Sequence, residues 1–318
     1  MTVAAIAIGR NEGDRLVRCF ASLGGQVSPV IYVDSGSTDG SVDAARAAGA
    51  EVVELDMSVP FTAARARNAG LARLAEIDPE GAFVQFLDGD CILDAGWIHT
   101  AREAIDAAAD IAVVCGRRRE IAPEISVYNR LIDGEWDTPI GEARACGGDA
   151  LMRRAALDQV EGYRESLIAG EEPEMSFRMR GQGWRILRID AEMTRHDAAV
   201  TRLGQWWQRS RRAGHAYAEG AALHGASRER YRVAETRRAV IWGLGVPLAA
   251  LLGAAFLSPW ALVLLLAWPA QVVRLAAKGQ PVSHAFFLTF GKLPEAQGVL
   301  AYWWGRLSGK RRGLIEYK

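Results

Sequence analysis

The sequence predicts an α/β fold, a mostly parallel sheet flanked by helices, followed by two apolar helices towards the C-terminus. Short apolar runs alternate with amphipathic stretches over the first two thirds of the 318 residues, a pattern typical of parallel sheets covered by helices. Polar residues follow the ends of several of these runs. After residue 236 the chain changes to long uncharged apolar runs. The length suits one large domain with an appendage, or two domains.

Five apolar runs have the length and composition of buried strands, and the stretches between them have helical spacing. The predicted strands cover 3–8, 30–33, 51–54, 83–87 and 111–115, and the predicted helices cover 12–23, 41–48, 61–75 and 97–108. Ligands bind beyond the carboxyl ends of the strands in such sheets. We therefore expect a site around Asn11, Asp34 and Asp88, which all follow strand ends.

The segments 239–257 and 260–277 predict two transmembrane helices. Each is close to the ~20 residues needed to span a bilayer, and Ser258-Pro259 separates them. Basic residues flank the pair on both sides, which places both ends in the cytoplasm. These residues are Arg237, Arg238, Arg274 and Lys278. A buried helical pair in a soluble domain is the alternative, because helix length alone does not separate the two.

Residues 282–307 mix aromatic and apolar side chains with Lys292 and Arg306. This composition suits a helix that lies in the membrane interface. The basic triplet at 310–312 would face anionic lipid. We therefore expect an interfacial helix and a basic cytoplasmic tail after the two transmembrane helices.

Charge and cysteine content narrow the class of protein. The chain has 38 basic and 38 acidic side chains, so its net charge does not favour nucleic acid, and we expect no nucleic-acid partner. The four cysteines lie far apart, without the paired spacing of a zinc site. We expect reduced thiols in a cytosolic domain.

The segment Asp88-Gly89-Asp90 follows an apolar strand and is the first candidate for chemistry. Glycine permits a turn that points both carboxylates to one side. Paired oxygen ligands suit a hard cation such as Mg²⁺ or Mn²⁺, which would neutralise a departing diphosphate. Taken alone, however, the segment is weak evidence, because short acidic pairs at loop starts are usually solvated turns.

Four segments together resemble a known enzyme family. They are Asn11-Glu12, Val-Asp-Ser-Gly-Ser-Thr-Asp-Gly-Ser at 33–41, Ala-Arg-Asn-Ala-Gly at 66–70 and Leu-Asp-Gly-Asp at 87–90. Their order is similar to that of family 2 glycosyltransferases of the GT-A fold, over about residues 2–225. The resemblance implies a Rossmann-like domain, inverting sugar transfer from a nucleotide-diphosphate sugar, and Mg²⁺ or Mn²⁺ as cofactor.

The resemblance also implies roles for residues on the donor side. In the family, the residue matching Asp34 contacts the donor nucleoside, and the acidic pair holds the metal and the diphosphate. The implied donor-binding residues are Asn11, Glu12, Asp34, Arg67, Asn68 and Asp88, and the implied metal ligands are Asp88, Asp90 and His196. His196 is equally consistent with a hydrogen-bonded loop residue. Ser35 stands where many members have a second aspartate, so UDP-, GDP- and TDP-sugars all remain open as donors.

The segment Gly-Glu-Glu-Pro-Glu at 170–174 resembles the family's acidic motif at the start of a helix. This resemblance implies Glu172 as the base that removes the proton of the acceptor hydroxyl, with Glu171 as a structural or acceptor contact. The family norm at Glu172 is aspartate. Helix capping is the alternative, because carboxylates are favoured at helix N-termini in any protein.

Three further residues are weaker candidates for the acceptor side. Asp149 follows the Cys-Gly-Gly segment at 146–148, which resembles a glycine-rich acceptor segment of the family but is equally consistent with an ordinary turn. Trp206 and Arg209 loosely resemble the Gln-x-x-Arg-Trp motif of processive synthases without matching it. Packing on a bilayer is the alternative for their part of the chain.

These observations predict an inverting glycosyltransferase with a lipid-linked or glycan acceptor, in cell-surface polysaccharide or glycolipid synthesis at the cytoplasmic membrane. One hairpin favours single additions over processive synthesis. The expected division is a catalytic domain at 1–225, a juxtamembrane segment at 226–238, transmembrane helices at 239–277, and the interfacial helix and tail at 278–318. A haloacid-dehalogenase-type phosphatase and a non-catalytic scaffold are the alternatives. The oligomeric state stays open.

Overall fold

A computed structural model describes residues 2–309 and divides them into two compact units. The first contains residues 2–125 and 132–199, and the second contains residues 126–131 and 200–309. The basic triplet predicted at 310–312 lies outside the described residues. The functional domain bounds drawn from the sequence stay predictions.

The first unit is built on one mixed sheet of nine strands. The strands are β1 Ala4–Gly9, β2 Val30–Asp34, β3 Glu51–Glu54, β4 Phe83–Asp88, β5 Cys91–Leu93, β6 Ile111–Glu120, β7 Gly141–Glu142, β8 Ala150–Arg153 and β9 Arg185–His196. Their order is β3-β2-β1-β4-β8-β6-β9-β5, and β7 pairs with β9. The first four in this order run parallel. β8 is antiparallel to both neighbours, β6 and β9 are parallel, and β5 and β7 pair antiparallel with β9.

Helices connect and cover the strands. The helices before residue 200 are α1 Asp14–Leu23, α2 Ser41–Ala47, α3 Ala63–Ile77, α4 Trp97–Asp106, α5 Val127–Trp136, α6 Arg154–Gln159 and α7 Glu171–Gly181. The predicted α/β class is confirmed, and the first four predicted helices begin or end within two residues of the observed bounds. β6 runs five residues beyond the predicted end, because its charged second half still pairs with β9.

The core of this unit lies between the sheet and its helices. Ile6, Phe86 and Trp97 are fully buried there. Gly70 lets α3 approach the sheet closely, since a Cβ at this position would lie 2.5 Å from Ile6 Cγ2 and 3.2 Å from Val33 Cγ2. The glycine therefore fixes the height at which α3 presents its polar side chains beside the strand ends.

The second unit is helical. Its helices are α8 Leu203–His224, α9 Val233–Val240, α10 Val246–Phe256, α11 Ala267–Ala277, α12 Val282–Phe290 and α13 Lys292–Leu307. Glycines allow close backbone packing of α8 and α13, with Gly214 against Glu295 and Gly298 against Arg211. The stretch 282–307, expected as one helix, is interrupted at Gly291. Its second half is partly buried through Val299 and Ala301.

Two helices of the second unit are long and apolar enough to cross a membrane by length and composition. They are Val233–Phe256, with 24 residues, and Pro259–Ala277, with 19 residues. The first includes a π-helical segment at Ile241–Gly245, and the second opens as a 3₁₀ helix at Pro259–Leu266. The turn between them carries strongly exposed apolar side chains, with Leu257 88% and Trp260 81% exposed.

Replacing Gly70 with alanine should lower the free energy of unfolding of the first unit by about 1–3 kcal/mol, because the added methyl group overpacks the core against Ile6. Gly134→Ala is the matched control: Gly134 is also helical, but nothing lies within 4 Å of its added Cβ, and glycine to alanine in an open helix is neutral or stabilising. Thermal unfolding by circular dichroism compares the two. Equal midpoints for both variants would contradict the close packing at Gly70.

Candidate active site

The carboxyl ends of three neighbouring strands bring the predicted site together. In the parallel register Gly9 pairs with Asp34, and Ile8 pairs with Asp88. The residues that follow β1, β2 and β4 therefore lie along one edge of the sheet, where ligands of such folds bind. The sequence-based expectation placed the site at this edge.

The loops after β1 and β2 form one hydrogen-bonded surface. The Asn11 backbone N–H donates to Ser37 Oγ at 2.8 Å, and Asn11 Oδ1 accepts from the Thr38 N–H at 2.7 Å. Asp34 is only 2% exposed, and its Oδ2 accepts from the N–H groups of Gly36 and Ser37 at 2.9 and 2.8 Å. The Asp34 carboxylate therefore shapes the loop that follows it.

Glu12 joins this surface to the Asp88-Gly89-Asp90 segment. Its backbone N–H donates to Ser41 Oγ at 3.2 Å, and its carboxylate pairs with Arg15 at 2.9 Å. A Cβ added at Gly89 would lie 3.2 Å from Glu12 Cγ. Gly89 thus leaves room for Glu12 to pack directly over the acidic segment.

Four potential ligand groups cluster after β4. One ligand atom each from Asp88, Asp90, Cys91 and His196 lies within 4.8 Å of the others. The antiparallel register of β5 and β9 pairs Cys91 with His196, which is why a residue more than 100 positions away joins the segment. His196 Nε2 lies 3.0 Å from Asp90 Oδ1.

The donor set fits a hard divalent cation. Burial, followed by the charges of Asp149 and Asp90, raises the pKa of the Cys91 thiol well above its usual range, and soft sulfur is a poor match for the hard cations that carboxylates bind. Two carboxylates and an imidazole remain. Asp88, Asp90 and His196 would therefore hold Mg²⁺ or Mn²⁺.

Asp149 lies beneath this cluster with no solvent exposure. Its Oδ2 lies 3.0 Å from Arg118 Nε and accepts from Thr194 Oγ1 at 2.7 Å, while the Cys91 thiol donates to the same oxygen at 3.4 Å. Burial alone would raise the pKa of Asp149, but Arg118 and His196 outweigh it and lower the pKa. The carboxylate is therefore ionised, and its contact with Cys91 supports the cluster from its buried side.

Arg67 links the acidic segment to α7. Its guanidinium is buried, with Nη2 3.0 Å from Asp88 Oδ1 and Nη1 3.1 and 3.0 Å from the Oε1 atoms of Glu171 and Glu172. Burial disfavours the charged guanidinium, but Glu172 and Asp88 more than compensate and raise the pKa of Arg67. One cation thus holds three carboxylates from two distant segments.

Glu172 has the properties of a proton acceptor. Burial and the neighbouring Glu171 raise its pKa to about 7, against the opposing effect of Arg67. A general base works best with a pKa near the working pH. The first turn of α7 contains both glutamates, so the helix fixes their positions relative to Arg67.

Gly148 fills the space between the carboxylates. A Cβ at this position would lie 2.5 Å from Arg67 Nη2, 3.2 Å from Glu172 Oε1 and 3.3 Å from Asp88 Oδ2. Only glycine fits there without displacing the ion pairs. The pair Gly147-Gly148 in the sequence was the available signal, although it did not reveal which side chains meet there.

The structure places other predicted residues in supporting positions. Asn68 Nδ2 donates to the Tyr163 carbonyl at 2.8 Å, and Asn68 Oδ1 accepts from the Tyr163 N–H at 2.9 Å. This side chain therefore holds the segment before α7. Arg118 and Trp136 were not among the predicted residues, yet the Trp136 ring stacks on His196 with centroids 5.1 Å apart and planes 3° apart.

Trp206 and Arg209 lie on α8 in the second unit. Trp206 is buried among aromatic rings of that unit, 4.9 Å from Phe287 and 6.4 Å from Tyr128 between ring centroids. Arg209 is half-buried on the same helix. The acceptor-side roles of these two residues stay predictions.

Comparison with known proteins gives a match to one family model and a similar fold. Residues 6–160 match the family model described as glycosyl transferase family 2. A TPR repeat-containing protein of Synechococcus elongatus is 26% identical over 210 residues, covering 55% of this chain and 50% of the relative. The chain therefore spans about half the length of that curated relative.

Among solved structures, the chain resembles the mannosyltransferase PcManGT from Pyrobaculum calidifontis, solved with GDP-Man and Mn²⁺. The TM-score is 0.58 at 18% identity, over 98% of this chain and 88% of the other. Glucosyl-3-phosphoglycerate synthase from Mycobacterium tuberculosis, solved with Mn²⁺ and UDP-glucose, aligns with a TM-score of 0.45 at 18% identity, over 69% of this chain and 78% of the other.

The family match begins in β1 and ends just after α6, so it contains Asp34, Arg67 and the Asp88-Gly89-Asp90 segment. It favours the sugar-transfer interpretation of that segment over a haloacid-dehalogenase-type phosphatase. The likeness to PcManGT confirms the predicted fold. With the acidic cluster at the strand ends, these findings show that residues 6–160 resemble glycosyl transferase family 2 and that the site has the ligands for a divalent metal ion.

Proposed function

We propose that this enzyme transfers a sugar from a nucleotide-diphosphate sugar to a hydroxyl of a lipid-linked acceptor, with inversion at the anomeric carbon. The observation that carries the proposal is the meeting of two groups across Gly148. Asp88, of the candidate metal cluster, and Glu172, the candidate base, both contact Arg67 and both lie near the Gly148 Cβ position. A leaving group held by the first would lie beside an acceptor hydroxyl at the second.

On the donor side, the loops that contain Asn11, Glu12 and Asp34 would hold the nucleoside. Asp88, Asp90 and His196 would hold Mg²⁺ or Mn²⁺, which neutralises the departing diphosphate when bound. Asp149, paired with Arg118, accepts a hydrogen bond from the Asp88 backbone N–H at 3.4 Å and so supports the metal-binding segment from beneath. UDP-, GDP- and TDP-sugars are the candidate donors.

On the acceptor side, Glu172 accepts the hydroxyl proton while the acceptor oxygen forms its bond to C1 of the sugar. The bond from C1 to the phosphate oxygen breaks on the opposite face, and the electron pair leaves with the diphosphate. Arg67 holds the Glu172 carboxylate in place through an ion pair of 3.0 Å. Glu171 is the second carboxylate on Arg67 and so has a structural role.

The two apolar helices support a membrane location, with the catalytic domain in the cytoplasm. Such a location suits a lipid-linked acceptor, as in cell-surface polysaccharide or glycolipid synthesis. One hairpin favours single additions over processive synthesis.

A non-catalytic scaffold is the second candidate, because the fold alone hosts many functions. The proposal is tested by a thermal-shift screen of UDP-, GDP- and TDP-sugars with and without Mn²⁺, since a ligand that binds the folded state raises the unfolding temperature. If no donor stabilises the chain with Mn²⁺, the scaffold is favoured.

Asp90→Asn should abolish the Mn²⁺-dependent part of donor binding and lower turnover by more than about 100-fold, because a ligand carboxylate is lost. Isothermal titration with Mn²⁺, followed by the donor found in the screen, measures both steps. Asp94→Asn, four residues along the chain, is the matched control and should bind Mn²⁺ and the donor with the affinities of the parent. Unchanged Mn²⁺ affinity in Asp90→Asn would remove the metal assignment.

Glu172→Gln should reduce kcat by about 10²–10⁴-fold, the usual contribution of a general base, while the donor still binds. In the parent enzyme kcat should rise with pH through about 7, since only the deprotonated Glu172 accepts a proton. The variant should lose this limb of the pH profile. Glu172→Asp should keep part of the parent kcat. Glu124→Gln, which changes an exposed carboxylate, is the control and should keep all of it. A pH limb that survives in Glu172→Gln would assign the base elsewhere.

Leu248→Arg should release much of the protein from membranes, because arginine near the centre of a spanning helix costs about 2.5–3.5 kcal/mol. Leu248 is 44% exposed and lies at the middle of the apolar run 239–257. Fractionation after an alkaline carbonate wash gives the measurement. Leu223→Arg, at a similarly exposed leucine of α8, should stay with the membrane. Parent protein that appears in the soluble fraction would contradict the membrane proposal.

A further inference from the structure

The buried arginines of the first unit differ in how well carboxylates compensate them. Arg67 contacts three carboxylates, and Arg118 is paired with the fully buried Asp149. Arg117 and Arg188 lie on the adjacent strands β6 and β9, with side chains only 8% and 3% exposed. Buried charges need close partners, so their surroundings are informative.

Arg117 and Arg188 converge on one carboxylate oxygen. Arg117 Nη2 is paired with Asp133 at 3.0 Å, but its Nε lies 3.4 Å from Asp137 Oδ1. Arg188 Nη2 lies 3.7 Å from the same Asp137 oxygen. Arg188 Nη1 donates to the Ile189 carbonyl, and its buried Nε has no hydrogen-bond partner within residues 2–309. Among the described residues, the Asp137 carboxylate is therefore the one in ion-pair distance of the buried Arg188 cation, and the charge of Glu192 acts on it from farther away.

The carboxylate that bridges them comes from the surface. The Asp137 side chain is 62% exposed, directly after the end of α5, and the residues from 137 to 142 are all exposed. A carboxylate offers two oxygens and is held here at long distances. A phosphate offers more oxygens and more charge, and arginine pairs bind it with parallel hydrogen bonds.

The arginine pair adjoins the metal cluster. Trp136, the residue before Asp137, stacks on His196, and the Arg118 guanidinium lies 5.3 Å from the centroid of the same ring. The segment that contains Asp137 is therefore connected, through the neighbouring Trp136, to one of the proposed metal ligands. This position suits the phosphate of a second substrate.

We propose that Arg117 and Arg188 form a binding site for a phosphate or diphosphate group of the acceptor, and that Asp137 occupies this site until the anion displaces it. The identity of the ligand as the acceptor rests on the proposed function. Anion binding itself does not, because it depends only on the two guanidinium groups and the exchangeable carboxylate.

The test titrates inorganic pyrophosphate into the full chain in detergent micelles, with EDTA present to remove divalent cations, and follows heat release. Asp137→Asn should bind pyrophosphate at least about threefold more tightly, because a competing anion is lost. Arg188→Gln should bind it at least about tenfold more weakly, since a charge-assisted hydrogen bond to a buried group is removed. Thermal unfolding measures whether each variant folds.

Two controls separate this site from general electrostatics. Glu142→Gln removes one negative charge from the same exposed segment, and Arg119→Gln removes an exposed arginine of β6 that is paired with Glu192. Both should bind pyrophosphate as the parent does. Equal tightening in Asp137→Asn and Glu142→Gln would overturn the proposal. If Arg188→Gln does not fold, the test rests on Asp137→Asn, at an exposed side chain, which should still bind pyrophosphate more tightly than the parent.

The source of the phosphate is decided by comparing farnesyl phosphate with inorganic phosphate. Tighter binding of farnesyl phosphate supports a lipid-linked acceptor, and equal binding supports a water-soluble phosphorylated one. Failure to bind either phosphate overturns the site. Donor binding with Mn²⁺, measured in parallel on the same variants, distinguishes this failure from a failure of the proposed glycosyl transfer.

Discussion

The contact of the buried Arg67 guanidinium with Asp88, Glu171 and Glu172 is the interaction on which the rest of the site depends. Removing the partners of a buried cation costs several kcal/mol, so each of the three carboxylates stabilises the buried position of Arg67. The network connects the end of β4 to the first turn of α7. It therefore fixes the distance between the group that would hold the leaving diphosphate and the group that would accept the proton.

The residues around this network hold its backbone segments in position. Gly70 sets the height of α3 against the sheet, and Gly148 leaves the space in which the ion pairs form. Asn68, the neighbour of Arg67, holds the backbone before α7 at Tyr163. Arg118, Asp149 and Thr194 form a second buried network under the acidic cluster. The two networks meet at Asp88, whose N–H faces Asp149 and whose carboxylate faces Arg67.

The order of strands and helices was predictable because apolar periodicity is local, and the strand-end position of Asp34 and Asp88 followed from it. The partnership of Asp90 with His196 and of Arg67 with Glu172 was not predictable from spacing. These contacts join residues about 100 positions apart through the register of β5 with β9 and the placement of α7. The burial of Asp149 and the engagement of Asn68 with Tyr163 likewise depend on packing that no local pattern encodes. The interruption at Gly291 was missed because the apolar pattern continues through it.

The central claim is that one divalent cation contacts both the protein cluster and the leaving diphosphate. Pulsed electron paramagnetic resonance of Mn²⁺, bound to the chain with UDP or GDP, tests it directly. The account predicts a nitrogen coupling from the His196 imidazole and a phosphorus coupling from the diphosphate on the same ion, and His196→Gln should remove only the first. A phosphorus coupling in the parent without any imidazole nitrogen, or a nitrogen coupling without phosphorus, would contradict it.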